Sequence, residues 1–414
     1  MVPRSQTALL VAGGAAAGAA VMYALMRPAA STLEKPKSKG TDAAKGGPAI
    51  RFSKPKLLDF VKSCLCKAGA SEANAALVAD VLIYADCRGI PSHGCNRADF
   101  YAGEIGRGLI DANAVPQVVE DSGCCGVVDG KNGLGAVVSK VAIELAIAKA
   151  EAHGVGIVAC RRSNHFGAAG YWAQQALDRG LIGFAFTNTA PYMVPTGGTC
   201  RAVGTNPICA YFPGEGGDCF QLDMATTTVP IGKIEIMDRL QKALPMGWGV
   251  DRHGKPCADP AEVGTGGGLC PLGGYAETAG YKGYGLGVLV ELLSSALSGA
   301  AVGPDVVRWN LNRTEELNLG HCFIVMDPER FAPGVASRLA SYLAKMRDLP
   351  GSVKVPGDPE RAAEADAKAG GVLIQNAVAV SLKVLALEKG VDLLPELVDL
   401  DIKNRRQSIR AREK

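Results

Sequence analysis

Arg161-Arg162-Ser163-Asn164-His165-Phe166-Gly167-Ala168 is the stretch on which the reading turns. Before it stands Gly156-Ile157-Val158-Ala159-Cys160, an apolar run of the length that fully buried strands use. After it, a helix beginning near Ala168 carries Tyr171, Trp172, Ala176 and Leu177 at helical spacing and stops at Gly180. The octapeptide is therefore a polar, glycine-ended loop between a buried strand and a helix, with a histidine inside it. Such loops expose backbone N–H groups beside a positive helix end, which suits a titratable side chain next to an anionic cofactor. The chemistry is expected here.

Outward from that loop the pattern is mixed. Towards the N-terminus, Ser53 and Ser71 are placed to cap helices running from Lys54 toward Gly69 and on through Leu77, Val81 and Tyr84 to Gly89. A third helix carries Phe100, Tyr101 and Ile105, short strands follow at Gln117–Glu120 and Gly126–Asp129, and a long helix spans Ala136–His153. Towards the C-terminus, strands are expected at Leu181–Thr187, Pro207–Phe212 and Phe220–Ala225. A nearly all-apolar helix over Tyr284–Ser298 should be buried, before a strand His321–Met326 and helices Pro333–Arg347 and Gly370–Leu387. Runs of helix followed by runs of strand argue for an α+β fold. The nearest approach to G-x-G-x-x-G, Gly154-Val155-Gly156-Ile157-Val158-Ala159, follows a helix and enters a strand, the reverse of a Rossmann fingerprint.

Composition narrows the classes. A net charge of +3 without a basic stripe interleaved with aromatics argues against nucleic acid. The 13 cysteines show no CxxC pair, only Cys64/Cys66 and the adjacent Cys124/Cys125, so they read as small apolar residues in a reducing compartment. Residues 1–50 stand apart. An uncharged Ala/Gly-rich run, Ala8 to Met26, lies between Arg4 and Arg27 and is followed by a lysine- and glycine-rich linker. Three readings stay open for it: a membrane tether through residues 8–26, a cleaved signal, and an organellar transit peptide. As a tether it would leave the catalytic domain in the cytosol, because Lys35, Lys37 and Lys39 outnumber Arg4.

A second polar loop, Arg88-Gly89-Ile90-Pro91-Ser92-His93-Gly94-Cys95-Asn96-Arg97, holds a hydroxyl, an imidazole and two guanidiniums. Arg97 suits bidentate binding of a carboxylate. Asp223 sits inside an apolar strand, where an acid is costly without hydrogen-bonded partners. Lys282 opens a helix, a basic side chain at a positive helix end that favours a phosphate or carboxylate neighbour.

With these residues in view, the chain resembles the malate/L-lactate dehydrogenase family of the non-Rossmann type, whose members include ureidoglycolate and sulfolactate dehydrogenases. The resemblance is carried by Arg88–Gly94, Val128–Gly135, Ser163–Gly167, Gly204–Pro207, Leu222–Thr226, Gly232–Glu235, Pro271–Gly274, Gly280–Gly285 and Gly357–Arg361, in order across roughly residues 52 to 390. It implies an α+β fold with a non-Rossmann nucleotide-binding lobe, and an NAD(P)-dependent oxidoreductase that interconverts a small 2-hydroxy acid and its 2-oxo acid, with NAD favoured. It implies His165 as proton acceptor, with Ser92, His93 and Asp223 in the catalytic set and Arg97 and Tyr101 on the substrate. Cofactor contacts are expected from His165, Gly167, Asn188, Thr189, Asp223, Met224, Ala225, Lys282 and Gly283, with no metal. Family members are typically homodimers. The expected division is a segment 1–50, a helical part of the substrate and dimerisation lobe over 51–130, a nucleotide-binding and catalytic lobe over 131–320, and a C-terminal part over 321–414. Reduction of a cyclic imino acid on the same fold, and a catalytically silent tethered scaffold, are the alternatives.

Overall fold

The computed structural model describes residues 49–309 and 313–402. The chain enters on a short strand, β1 (Ala49–Phe52), and runs into helices α1 (Lys54–Ala68) and α2 (Glu72–Cys87). In α1, Leu57, Phe60, Val61, Cys64 and Leu65 are buried, a stripe at the i, i+3, i+4, i+7, i+8 spacing of one helix face. Gly69 ends it at φ +123°, a conformation that favours glycine. The Ser71 hydroxyl accepts the Asn74 N–H and caps α2, whereas the Ser53 side chain makes no such bond. A loop with one 3₁₀ turn leads to α3 (Ala98–Gly106), and then to the hairpin β2 (Gln117–Ser122) and β3 (Cys125–Asp129).

The centre of the molecule is built next: α4 (Gly135–His153), β4 (Val155–Ser163), α5 (Ala169–Leu177), β5 (Ile182–Thr187), β6 (Ile208–Pro213) and β7 (Cys219–Met224). Smaller elements follow, α6 (Ile231–Arg239), β8 (Gly249–Val250), α7 (Pro260–Thr265) and β9 (Gly268–Leu269). Then come α8 (Gly280–Glu291), β10 (Leu319–Met326), α9 (Val335–Arg347), α10 (Asp358–Gly370), β11 (Val372–Gln375), α11 (Asn376–Lys389) and α12 (Pro395–Val398). Seven strands pair in the order β2-β3-β4-β10-β5-β6-β7. Only β3 and β4 run parallel, and α4 is the crossover between them. The ends of β4, β5 and β7 and the start of β6 therefore meet along one edge of the sheet. This is the α+β arrangement that the order of elements implies.

Fully buried Trp172, Phe166 and Phe323 fill the space between α5 and the sheet. Truncating side chains of this size costs about 3–5 kcal/mol each. β1 pairs antiparallel with β11, which joins the first and last parts of the described chain. The Gly357–Arg361 motif serves the same end. Asp358, at the start of α10, receives Arg347 and Arg361, and Arg347 also reaches Asp218 beside β7.

Three expectations are corrected. The strand expected at Gly156–Cys160 continues to Ser163, because Arg161 pairs beside Asp129 of β3 and the ladder to β10 resumes at Ser163. The expected helix over Tyr284–Ser298 starts at Gly280, changes to a π turn over Leu292–Ala296, and is not wholly buried. Its Tyr281, Leu289 and Leu292, with Leu297 beyond, lie exposed. The span Gly370–Leu387 is a strand and then a helix, since Gly371 breaks the chain direction and Val372–Gln375 finds an edge in β1. The helix α10, polar on most of its surface, was not foreseen. Among the described residues no helix is long and apolar enough to cross a membrane, and the segment 8–26 lies outside them.

Candidate active site

β4 delivers the loop Asn164–Ala168 to the sheet edge, and the loop is pinned at both ends. Upstream, Arg161 and Arg162 hold Asp129 at 3.3 and 3.6 Å. The carboxylate is drawn two ways: burial raises its pKa, while the Lys131 N–H and the two arginines lower it, leaving it below the ordinary value. The Asn164 amide donates to Asn132 and to Gly133 O at 2.9 Å. Gly135, first residue of α4, lies so close that a Cβ there would meet Asn164 O at 2.2 Å and His165 O at 2.4 Å. Downstream, the Trp172 indole N–H donates to Phe166 O at 3.0 Å, and Gly167 turns at φ +82° against Val81. His165 is thus set by a rigid interior.

The His165 imidazole is the hub of an aromatic cluster. Its Nδ1 lies 2.5 Å from the Tyr101 hydroxyl and receives the Gly167 N–H at 3.3 Å. A backbone amide can only donate, so Nδ1 is the acceptor and the neutral ring carries its proton on Nε2. The His93 ring stacks at 5.5 Å, and Ser92 Oγ is 2.9 Å from His93 Nδ1. Trp309 stacks on His165 with ring centroids 4.7 Å apart. Arg97, only 4% exposed, donates from Nε to Ser92 O, and its guanidinium lies 5.7 Å from the Trp309 ring. Residues 97, 101 and 104 recur at the spacing of one helix face, and the third of them, Glu104, receives both the Trp309 indole N–H at 2.8 Å and Arg313. Trp309 and Glu104 were missed by the sequence reading. They are 205 residues apart, and no local pattern joins them.

The remaining expected residues separate into two groups along the same edge. Thr189 Oγ1 receives the Thr205 N–H at 2.9 Å, just past the end of β5. Asn188 is committed to the fold: its amide donates to Glu291 and Ala301 O, and its Oδ1 accepts the Gly320 N–H. Asp223 accepts the Gly170 N–H at 2.8 Å, and burial pushes its carboxyl up to about 6. Met224 and Ala225 follow it, half-buried, at the end of β7. Lys282 is exposed in the first turn of α8. That turn is positioned by Gly283, which packs on the Leu272 backbone, while Leu272 N–H donates to Thr226 O beyond β7. His321 belongs to the core. It is held between Thr187 and Ser163 at 2.8 and 2.7 Å, and burial lowers its pKa to about 3, so it is neutral. Arg88 likewise is buried against Glu364 and Gln221, away from His165's ring contacts.

Two openings stand out, and only the smaller adjoins these groups. A cavity of about 10 Å³ lies behind His165 and Tyr101 among Val78, Val81 and Ile110, room for one water. A cleft of about 580 Å³ lies at the other end of β6 and β7, lined by Pro213, Gly214 and Cys219 together with Asp80, Tyr84, Gln174, Gln221 and Arg361, and none of the expected cofactor residues lines it. Among the described residues no His/Cys/Asp/Glu group has the make-up of a metal centre. The edge carries threonine hydroxyls and a lysine at a helix start, groups of the kind that suit an anionic dinucleotide.

Comparison with known proteins shows the family of the chain. Residues 52–383 match the family described as malate/L-lactate dehydrogenase. The chain belongs to that family. It is 40% identical over 306 residues to a malate dehydrogenase of Pyrococcus abyssi, covering 74% of this chain and 82% of the relative. It is 35% identical over 309 residues to the ureidoglycolate dehydrogenase (NAD(+)) of Escherichia coli, covering 74% and 85%. Among solved structures, malate dehydrogenase from Entamoeba histolytica superposes with a TM-score of 0.79 at 30% identity, covering 84% of this chain and 99% of that one.

Proposed function

We propose that this dehydrogenase interconverts a small 2-hydroxy acid and its 2-oxo acid, with His165 as the group that takes the hydroxyl proton. The observation that carries the reading is the 2.5 Å contact of Tyr101 with His165 Nδ1, inside a cluster that also holds Ser92, His93 and Arg97. The one lone pair of His165 able to accept a proton already faces the Tyr101 hydroxyl. A substrate proton therefore reaches His165 through that hydroxyl or in its place. Arg97 supplies a fixed positive charge for the carboxylate, which orients the reacting carbon. A bound nicotinamide would supply the hydride acceptor. Thr189, Asp223, Met224, Ala225, Lys282 and Gly283 are proposed to hold the dinucleotide, and NAD is proposed over NADP. Asn188 would act there by holding the strand end.

The assay follows nicotinamide absorbance with the full chain, in both directions and with both cofactors. Malate, lactate, ureidoglycolate, sulfolactate and cyclic imino acids are the substrates to compare. Turnover of a hydroxy acid with NAD supports the reading. Turnover confined to imino acids overturns it in favour of the reductase alternative. A homodimer is proposed as well, supported by the exposed apolar side chains Tyr281, Leu289 and Leu292 of α8 and its π turn. Light scattering tests this, and a monomer at micromolar concentration would sink it. The tether through residues 8–26 and a cytosolic catalytic domain are proposed from sequence, and carbonate extraction of membranes tests the first.

A further inference from the structure

The β2–β3 hairpin ends in a pair of thiols that the proposed chemistry does not use. Its turn, Gly123-Cys124, carries the chain from Ser122 to Cys125, with Gly123 at φ +50°. The sulfurs of Cys124 and Cys125 lie 3.8 Å apart on the same side of the turn, within reach of a shared S–H···S hydrogen bond. Cys125 is exposed and Cys124 half-buried, whereas most of the other cysteines are buried in the core. Lys149 of α4 fixes the turn, donating to Gly123 O at 2.9 Å and pairing with Asp121. The pair is therefore preorganised before any ligand arrives.

What such a pair can do follows from its geometry. Consecutive Cα atoms across a trans peptide are about 3.8 Å apart, below the roughly 4.4–6.8 Å that an unstrained disulfide needs. Direct oxidation to a disulfide is disfavoured. A larger atom bridging both sulfurs relieves that constraint, because the sulfurs need not come within bonding distance of each other. Soft, thiophilic centres prefer thiolate ligands.

We infer that Cys124 and Cys125 form a bidentate site for a trivalent thiophilic centre of the arsenical class. With an organoarsenic(III) oxide, two S–H bonds and the As–O bonds break, two As–S bonds form, and one water leaves. Arsenic stays trivalent, so no oxidant or reductant takes part. The Cys124 contact and slight burial hold the Cys125 thiol above its ordinary range while the Lys149 charge pulls it down, so Cys125 enters the reaction as a thiol.

The site faces the functional loop through a single strand. β3 runs from Cys125 to Asp129, whose carboxylate grips Arg161 and Arg162 ahead of His165. The proposal itself does not rest on the assigned activity.

Phenylarsine oxide is the probe, read by intact mass of the full chain. One phenylarsenic adduct should form, survive excess glutathione, and leave on addition of 2,3-dimercaptopropanol. Cys124→Ser and Cys125→Ser should each weaken capture by about 10²-fold or more, because only one arm remains. Cys64→Ser and Cys66→Ser, at the other close-spaced pair, should leave it unchanged. Circular dichroism of the exposed-site variants should match the parent, which separates loss of a ligand from loss of fold. Absence of an adduct, its removal by glutathione, or its persistence in both hairpin variants would overturn the inference.

Discussion

The Tyr101 hydroxyl and His165 Nδ1 are 2.5 Å apart, and that nitrogen also receives the Gly167 N–H. In the proposed mechanism the contact makes Tyr101 part of the proton route. Tyr101→Phe keeps the ring and removes the oxygen. Its kcat should fall by about 10-fold or more, with folding unchanged by circular dichroism. An unaltered kcat would remove Tyr101 from the route.

His165→Ala should lower kcat by roughly 10²–10⁴, the range for loss of a general base. Nucleotide binding, followed by quenching of protein fluorescence, should survive. A variant that turns over at the parental rate would mean that another group accepts the proton.

Glu104 joins two distant parts of the chain by accepting from Trp309 and Arg313 at once. Both partners of the ion pair are buried, so Glu104→Gln leaves Arg313 uncompensated. A loss of about 3–5 kcal/mol in unfolding free energy is expected from denaturant titration. Because Trp309 stacks on His165, the same variant should also lower kcat. Stability loss with full activity at low temperature would show that Trp309 does not help to place the base.

His321 gives the acid dependence its sign. Burial lowers its pKa from 6.5 to about 3. The unfolded chain therefore binds a proton between those values and the folded chain does not, so the contribution is full above about 6.5 and is lost as pH falls toward 3. At about 1.4 kcal/mol for each pKa unit, the effect amounts to a few kcal/mol. Urea midpoints measured from pH 7 down to pH 4 should fall, and less steeply in His321→Gln. Equal slopes would show that other groups govern acid unfolding.

The strand, loop and helix around His165 were legible because each is encoded locally: an apolar run, a glycine-ended polar turn, and an apolar helical stripe. Ser92, His93, Arg97 and Tyr101 came together with His165 for a related reason, since they lie on one loop and the helix it opens. What failed was decided at a distance. Val372–Gln375 becomes a strand because β1, more than 300 residues earlier, offers it an edge. Leu289 and Leu292 read as core because a nearly all-apolar run does not say which surfaces the rest of the chain leaves open. Trp309 could not be placed over His165, because its indole is directed by Glu104 from another helix.

Gly135 has no Cβ, and this lets the first turn of a 19-residue helix touch the carbonyl of His165 directly. His165, the proposed base, is hung from the interior of the molecule. Catalysis and cohesion then share one fate. On heating, the rate should hold until the sheet and α4 give way together, so the temperature at which activity disappears reports the melting of the fold itself.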